Sequence, residues 1–193
     1  MHEHLQKAHF LWRENVKPGD LVIDATCGNG HDTLLLAQLA LTPSKGTLFA
    51  LDVQEAAIIQ SSTRLREHLP PEIVERVVFL QKCHSRFPES IEKESVTLIV
   101  YNLGYLPGGN KALTTLLETT QKSLFHAMEL IAKEGLISVM CYPGHAEGKI
   151  EEDALLSFAS CLNPLEWKWT HQRLVDRPTA PSLLIFKKSP KSI

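Results

Sequence analysis

The sequence has no apolar run approaching the ~20 residues a membrane-spanning helix needs, so no such helix is expected. Its four cysteines, Cys27, Cys83, Cys141 and Cys161, lie far apart with no C-x-x-C pair, which argues against a zinc site or a disulfide framework. Basic charge is not in excess either. The formal net charge of −2 argues against a generic nucleic-acid coat but leaves room for a small, localised RNA contact. Basic residues such as Lys7, Arg13, Lys17, Lys187, Lys188 and Lys191 are scattered as on a solvated surface. Met1-His2-Glu3-His4 leads into a mixed helical segment instead of the short apolar core of a secretion signal, so a cytoplasmic location is the default expectation. Repeats, linkers and low-complexity segments are also missing, and 193 residues with 44% hydrophobic content suit one domain spanning 1–193.

What is present centres on Val22-Ile23-Asp24-Ala25-Thr26-Cys27-Gly28-Asn29-Gly30-His31-Asp32. An apolar strand runs into a glycine turn and straight into a helix starting near His31, the arrangement of a cofactor cradle. Gly28 and Gly30 permit positive φ and close approach of the backbone to a ligand. A dinucleotide fingerprint needs a third glycine at 33, where Thr33 stands, so the motif is only a G-x-G. A second strand over 47–51 ends in Asp52, placed about twenty residues past the glycines to accept hydrogen bonds from two ribose hydroxyls. A nicotinamide nucleotide and S-adenosylmethionine both satisfy this pattern. Asp24 favours the second, because a carboxylate beside the loop repels a pyrophosphate but attracts the ammonium of a methionine moiety.

Along the chain, a helix over 3–15 precedes the first strand. A helix over about 54–68 stops at Pro70-Pro71, and strands follow at 77–80 and 96–101. A long helix over about 112–132 leads to a fifth strand at 136–140, then a helix at 149–162 and two late strands at 166–174 and 182–187. Strands alternating with helices predict an α/β fold with a mostly parallel sheet, helices on both faces and a C-terminal antiparallel hairpin. That is the outline of a Rossmann-like, seven-stranded methyltransferase sheet. The unusual loops, including Cys83-His84-Ser85, 102–109 and 141–145, follow strands at the carboxyl edge, where such sheets bind ligands.

Asn102-Leu103-Gly104-Tyr105 sits where amine methyltransferases carry an Asn-Pro-Pro-Tyr turn, in which an amide oxygen and a backbone carbonyl aim an amine's lone pair. Leu103-Gly104 departs from that pattern. Pro107-Gly108-Gly109 is suited to close approach of a substrate. His145 is the candidate base, since an alkylamine must lose a proton before it can attack. His84 and Ser85 are placed to line the adenosine side. Cys141 after the fifth strand offers a rival, a thiol nucleophile for pyrimidine C5 methylation. Trp167 and Trp169 alternate with Lys168, as base-stacking residues or, more simply, as core. An NAD-dependent oxidoreductase and a catalytically silent RNA-binding module on the same fold are the alternatives from other classes.

Assembled, these residues resemble the bacterial tRNA 5-(aminomethyl)-2-thiouridine methyltransferase family, formerly labelled rRNA methylases. The matching strings are Asp24-Ala25-Thr26-Cys27-Gly28-Asn29-Gly30-His31-Asp32-Thr33, Asp52-Val53-Gln54, Asn102-Leu103-Gly104-Tyr105-Leu106-Pro107-Gly108-Gly109, and Tyr142-Pro143-Gly144-His145 followed by Glu147-Gly148-Lys149. The resemblance implies S-adenosylmethionine as cofactor, contacted by Asn29, Asp52, Gln54, His84 and Ser85, with Asn102, Tyr105 and His145 facing the amine. It implies methylation of the 5-aminomethyl group of the tRNA wobble uridine, hence an anticodon stem-loop as partner. It leaves a homodimer, and an rRNA substrate, open. Pro143 and the loop Asp176-Arg177-Pro178-Thr179-Ala180-Pro181 depart from the family's pattern on the substrate side.

Overall fold

The computed structural model describes residues 3–106, 108, 114–173, 177 and 179–190. In chain order the elements are α1 (Glu3–Asn15), β1 (Leu21–Asp24), α2 (His31–Ala40), β2 (Thr47–Asp52), α3 (Glu55–His68), α4 (Pro71–Val74), β3 (Val77–Gln81), β4 (Val96–Asn102), α5 (Leu117–Leu130), β5 (Ile131–Cys141), α6 (Ala146–Ser160), β6 (Trp167–Arg173) and β7 (Ser182–Lys188). They build one seven-stranded sheet in the order β3–β2–β1–β4–β5–β7–β6. β1 to β5 pair in parallel, while β7 runs antiparallel to both β5 and β6.

Both faces of the central strands are apolar, as parallel strands covered by helices require. Side chains alternate across the sheet: Val22, Leu98 and Val100 join one core with Trp12, Leu36 and Leu65 of α1, α2 and α3. Ile23, Ile99 and Tyr101 join the other, with Leu124 and Leu155 of α5 and α6. Burying a leucine such as Leu36 or Leu98, both 0% exposed, stabilises by about 1.5–3 kcal/mol. The topology brings the carboxyl ends of β1 to β5 to one edge, where the expected loops follow. Among the described residues no helix is long and apolar enough to cross a membrane.

Three boundaries differ from expectation. The fifth helix ends at Leu130, and Ile131 already pairs with Val96 in an eleven-residue β5. The amides of Glu94 and Ser95 bond the carbonyls of Glu129 and Leu130 at 3.1 and 3.0 Å, closing the helix from outside despite helix-compatible residues beyond it. The strand then bulges: Glu134 has φ 61°, and a Cβ on Gly135 would lie 2.9 Å from the Ala132 carbonyl oxygen. Pro70-Pro71 does stop α3, but Pro71 also opens the short α4, since its fixed φ suits a first helical position. The sixth helix starts three residues earlier than expected, at Ala146, because His145 caps it.

Candidate functional site

The first loop is tied to its neighbours by backbone bonds. The Ala25 amide donates to the Val100 carbonyl (2.9 Å), Cys27 to the Leu51 carbonyl (2.8 Å), and Gly28 to Asp52 Oδ2 (3.1 Å). Asp52 Oδ1 accepts from the Gln54 amide at 3.0 Å. Gly28 has φ 48° and Gly30 φ 78°, as the motif predicts. The reason for the second glycine differs from expectation, however. A Cβ on Gly30 would lie 2.6 Å from the Ser61 Cα, so Gly30 admits α3, not a ligand. A Cβ on Gly28 would meet the Leu106 side chain at 3.4 Å, beneath the Asn102 loop.

Asp24 lies under the turn at 1% exposure. Its oxygens accept from the Thr26 amide (3.2 Å) and the Thr33 hydroxyl (2.7 Å). Burial, then the neighbouring Asp32 charge, push its carboxyl up to about 7. Burial likewise raises Asp52, against the backbone bonds it accepts from Gln54 and Gly28.

The Asn102 turn faces this loop. The Asn102 amide donates to Thr26 Oγ1 at 2.7 Å, and its side-chain Nδ2 donates to Asp32 Oδ2. Asp32, 7% exposed, also accepts from His9 Nε2 at 2.7 Å, and the Tyr142 hydroxyl donates to Asn102 Oδ1 at 3.3 Å. A carboxylate only accepts, so Asp32 takes the NH2 end of the amide and leaves its oxygen end for other donors. Asp32, Tyr142 and His9 were not singled out from sequence as site residues. Asp32 reads there as an ordinary first-turn acid, and its only signal is its place inside the 24–33 string.

Tyr105, 41% exposed, has its ring 6.2 Å from that of His145. His145 Nδ1 accepts from the Gly148 amide at 3.1 Å and so caps α6. A neutral imidazole has one acceptor nitrogen, so His145 can take a proton only by giving up that cap. Gly148 has its own constraint: a Cβ there would lie 2.2 Å from the Tyr142 carbonyl oxygen. Pro107 and Gly109, called as substrate-approach residues, and Asp176 and Pro178 of the late loop lie outside the described residues.

At the third strand end, His84 is 6% exposed, with its ring 5.9 Å from Tyr101 and its Nε2 buried with no hydrogen-bond partner among the described residues. Burial lowers its pKa to about 4, so it is neutral at pH 7. Ser85 beside it is half-buried, its amide 3.5 Å from the Cys83 sulfur. Cys141 is 1% exposed, and burial reinforced by Glu152 and Glu151 pushes its thiol far above the range of a working nucleophile. The thiol-attack alternative has no support in this geometry. Trp167 joins the core, whereas Trp169 is 39% exposed, so only the first of that pair follows the core reading.

The residues fit a cationic nucleoside cofactor better than a dinucleotide. Asp24, Asp32 and Asp52 lie close enough for the latter two to raise the first, a field that favours a sulfonium or ammonium over a pyrophosphate. A carboxylate offers about four acceptor positions, and Asp52, which accepts from the Gly28 and Gln54 amides, has capacity left toward a ribose hydroxyl. The orphaned His84 Nε2 is a further buried polar atom that a bound ligand would satisfy.

The chain matches the family model described as "Putative rRNA methylase" over residues 48–188. It is 37% identical over 185 residues to the chloroplastic tRNA (mnm(5)s(2)U34)-methyltransferase of Arabidopsis thaliana, across 94% of this chain and 68% of that one. Among solved structures, a protein from Clostridium thermocellum described as "putative rRNA-methylase" superposes with a TM-score of 0.88 at 31% identity, covering 97% of this chain and 98% of that one. A protein from Streptococcus mutans described as "a putative methyltransferase", in complex with SAH, superposes with a TM-score of 0.82 at 25% identity, covering 97% and 99%.

Proposed function

Given that the chain belongs to the rRNA-methylase family and is an S-adenosylmethionine-dependent RNA methyltransferase, we propose that it methylates an alkylamine, the 5-aminomethyl group of a tRNA wobble uridine. The observation that carries this reading is the orientation of Asn102. With its NH2 end held by Asp32, the turn offers an oxygen, which suits a substrate that arrives with N–H donors.

When bound, S-adenosylmethionine supplies a methyl group already activated on a positively charged sulfur. Asp52 and Gln54 at the end of β2 would hold its ribose side, with Thr26, Gly28 and Asn29 beneath it and His84 and Ser85 beside the base. Asp24 supports the turn from below. Its two oxygens already accept from the chain, so its part toward the methionine ammonium is that of a nearby negative field.

Asn102 Oδ1 accepts one amine hydrogen, which turns the nitrogen lone pair away from it and toward the methyl carbon. Methyl transfer would leave the positive charge on the amine nitrogen as a secondary ammonium, whose proton would pass to solvent. The amide oxygen, kept in place because Asp32 holds the NH2 end, faces that charge. Tyr105 and the His145 ring form the outer wall against the substrate. Holding both partners in line is the main contribution asked of the protein, because a deprotonated alkylamine is a good nucleophile without metal or covalent help.

The test is incubation with S-adenosylmethionine and tRNA from cells lacking the final methyl, followed by nucleoside mass spectrometry. Gain of one methyl on the aminomethyl nucleoside is expected. No gain there, with methyl appearing on rRNA instead, rejects the tRNA reading.

A further inference from the structure

Glu151, in the second turn of α6, is 1% exposed and has no role in the reaction described above. Its Oε2 accepts from the Thr115 hydroxyl and its Oε1 from the Thr120 hydroxyl, both at 2.7 Å. A hydroxyl has one proton. With that proton committed to Glu151, the Thr115 oxygen turns its lone pairs elsewhere, and one of them receives the Gly104 amide at 2.8 Å. The Thr115 amide completes the exchange by donating to the Gly104 carbonyl at 3.0 Å. Gly104 lies between Asn102 and Tyr105 with φ 121°, a conformation that side-chain-bearing residues rarely adopt. Among the described residues no atom lies within 4 Å of the position its Cβ would take, so none of them holds it by crowding on that side.

We propose that Glu151 is a positioning residue for methyl transfer: through Thr115 it clamps Gly104 and so fixes the turn that carries Asn102 and Tyr105. The same helix begins at His145, whose ring faces Tyr105, so the two sides of the substrate wall are referred to one rigid element. Burial pushes the Glu151 carboxyl up, and its two threonine hydroxyls pull it back. A buried carboxylate is a poor choice for simple helix packing, since apolar residues of similar volume stabilise as well or better. Its two acceptor oxygens nonetheless orient two hydroxyls at once. The inference rests on reading the Asn102 turn as the substrate side of the site.

The test compares Glu151→Gln, Thr115→Val and Thr115→Ser with the unmodified chain. Three readouts are needed: affinity for S-adenosylhomocysteine by calorimetry, single-turnover methyl transfer to undermodified tRNA, and hydrogen exchange at the Gly104 amide. A glutamine supplies one acceptor where two are required, and valine supplies no hydroxyl. Both variants are expected to slow transfer and speed Gly104 exchange by about tenfold, the size set by one hydrogen bond to a charged group, with S-adenosylhomocysteine affinity within about twofold. Thr115→Ser, which keeps the hydroxyl, is expected to retain both properties. Unchanged Gly104 exchange in Glu151→Gln and Thr115→Val overturns the proposal. So does a rise in exchange across the whole sheet, or a fall in S-adenosylhomocysteine affinity that parallels the rate, since either marks Glu151 as packing only. If the unmodified chain transfers no methyl to tRNA while Gly104 exchange still responds to Glu151, the substrate reading fails and the clamp stands.

Discussion

Replacing Asp32 by alanine removes the acceptor that holds the NH2 end of Asn102 and strands His9 Nε2 in a buried position. The amide can then rotate about its last torsion and present either end to the substrate. A hydrogen bond to a charged group contributes about 1.5–3 kcal/mol, so the rate of methyl transfer should fall about 10- to 150-fold. The effect belongs to the substrate side, so S-adenosylhomocysteine affinity by calorimetry should change by no more than about threefold, from the lost negative charge alone. Asp32→Asn should fall between: its oxygen can still accept from Asn102, but without the charge. The decisive form is a double-mutant cycle with Asn102→Ala, read by single-turnover kinetics below the melting temperature of every variant. If Asp32 acts through Asn102, the double variant is no slower than Asn102→Ala alone. Additive losses would refute the reasoning, because Asp32 would then be contributing by another route.

Asp52→Ala should weaken S-adenosylhomocysteine binding by about tenfold or more, as a charged acceptor is lost from the ribose side, with calorimetry as the check. Asp24 has a folded-state pKa of about 7, above the 3.8 of the free group, so the folded chain disfavours its ionised form. Its contribution to stability is therefore fully present below pH ~4 and lost as pH rises to ~7. Asp24→Asn should accordingly gain stability relative to the native residue between pH 4 and pH 8, by up to about 4 kcal/mol in urea denaturation; equal curves at the two pH values would contradict it. Gly30→Ala places a Cβ against Ser61 and should cost about 2 kcal/mol or more of stability, whereas Gly28→Ala should act mainly on cofactor affinity; denaturation and calorimetry separate them. His145→Ala should cost about 1 kcal/mol as a lost cap while His145→Asn keeps it, and the alkaline rise of the rate should persist in His145→Asn if the amine's own ionisation sets it. Disappearance of that rise would make His145 the base.

Much of the architecture was legible because the central strands carry strong signals. Leu21-Val22-Ile23 and 96–101 are apolar runs bounded by turn residues, and the glycine turn between β1 and α2 needs positive φ at the positions where glycine stands. The end of α5 was not legible, because Ile131-Ala132-Lys133-Glu134 has no local feature that forbids a helix. What ends the helix is a pair of amides, Glu94 and Ser95, from a segment more than thirty residues away. Within the candidate site, Asn102 and Asp52 announce themselves by their place at strand ends. Asp32, His9 and Glu151 do not, since each sits at an ordinary helical position and its partner is distant in sequence. Their roles arise only when α1, α2 and α6 meet the Asn102 turn. Gly30 gave the opposite error, a correct backbone conformation assigned to a ligand when the neighbour is α3.

The central claim, that the oxygen of Asn102 receives the substrate amine, is tested most directly by a crystal structure with S-adenosylhomocysteine and an anticodon stem-loop carrying the aminomethyl nucleoside. The account predicts the amine nitrogen about 3 Å from Asn102 Oδ1, on the line toward the cofactor sulfur, with Asp32 still on Nδ2. An amine seated away from Asn102, or an Asn102 side chain released from Asp32 and turned to present its NH2 group, would contradict it.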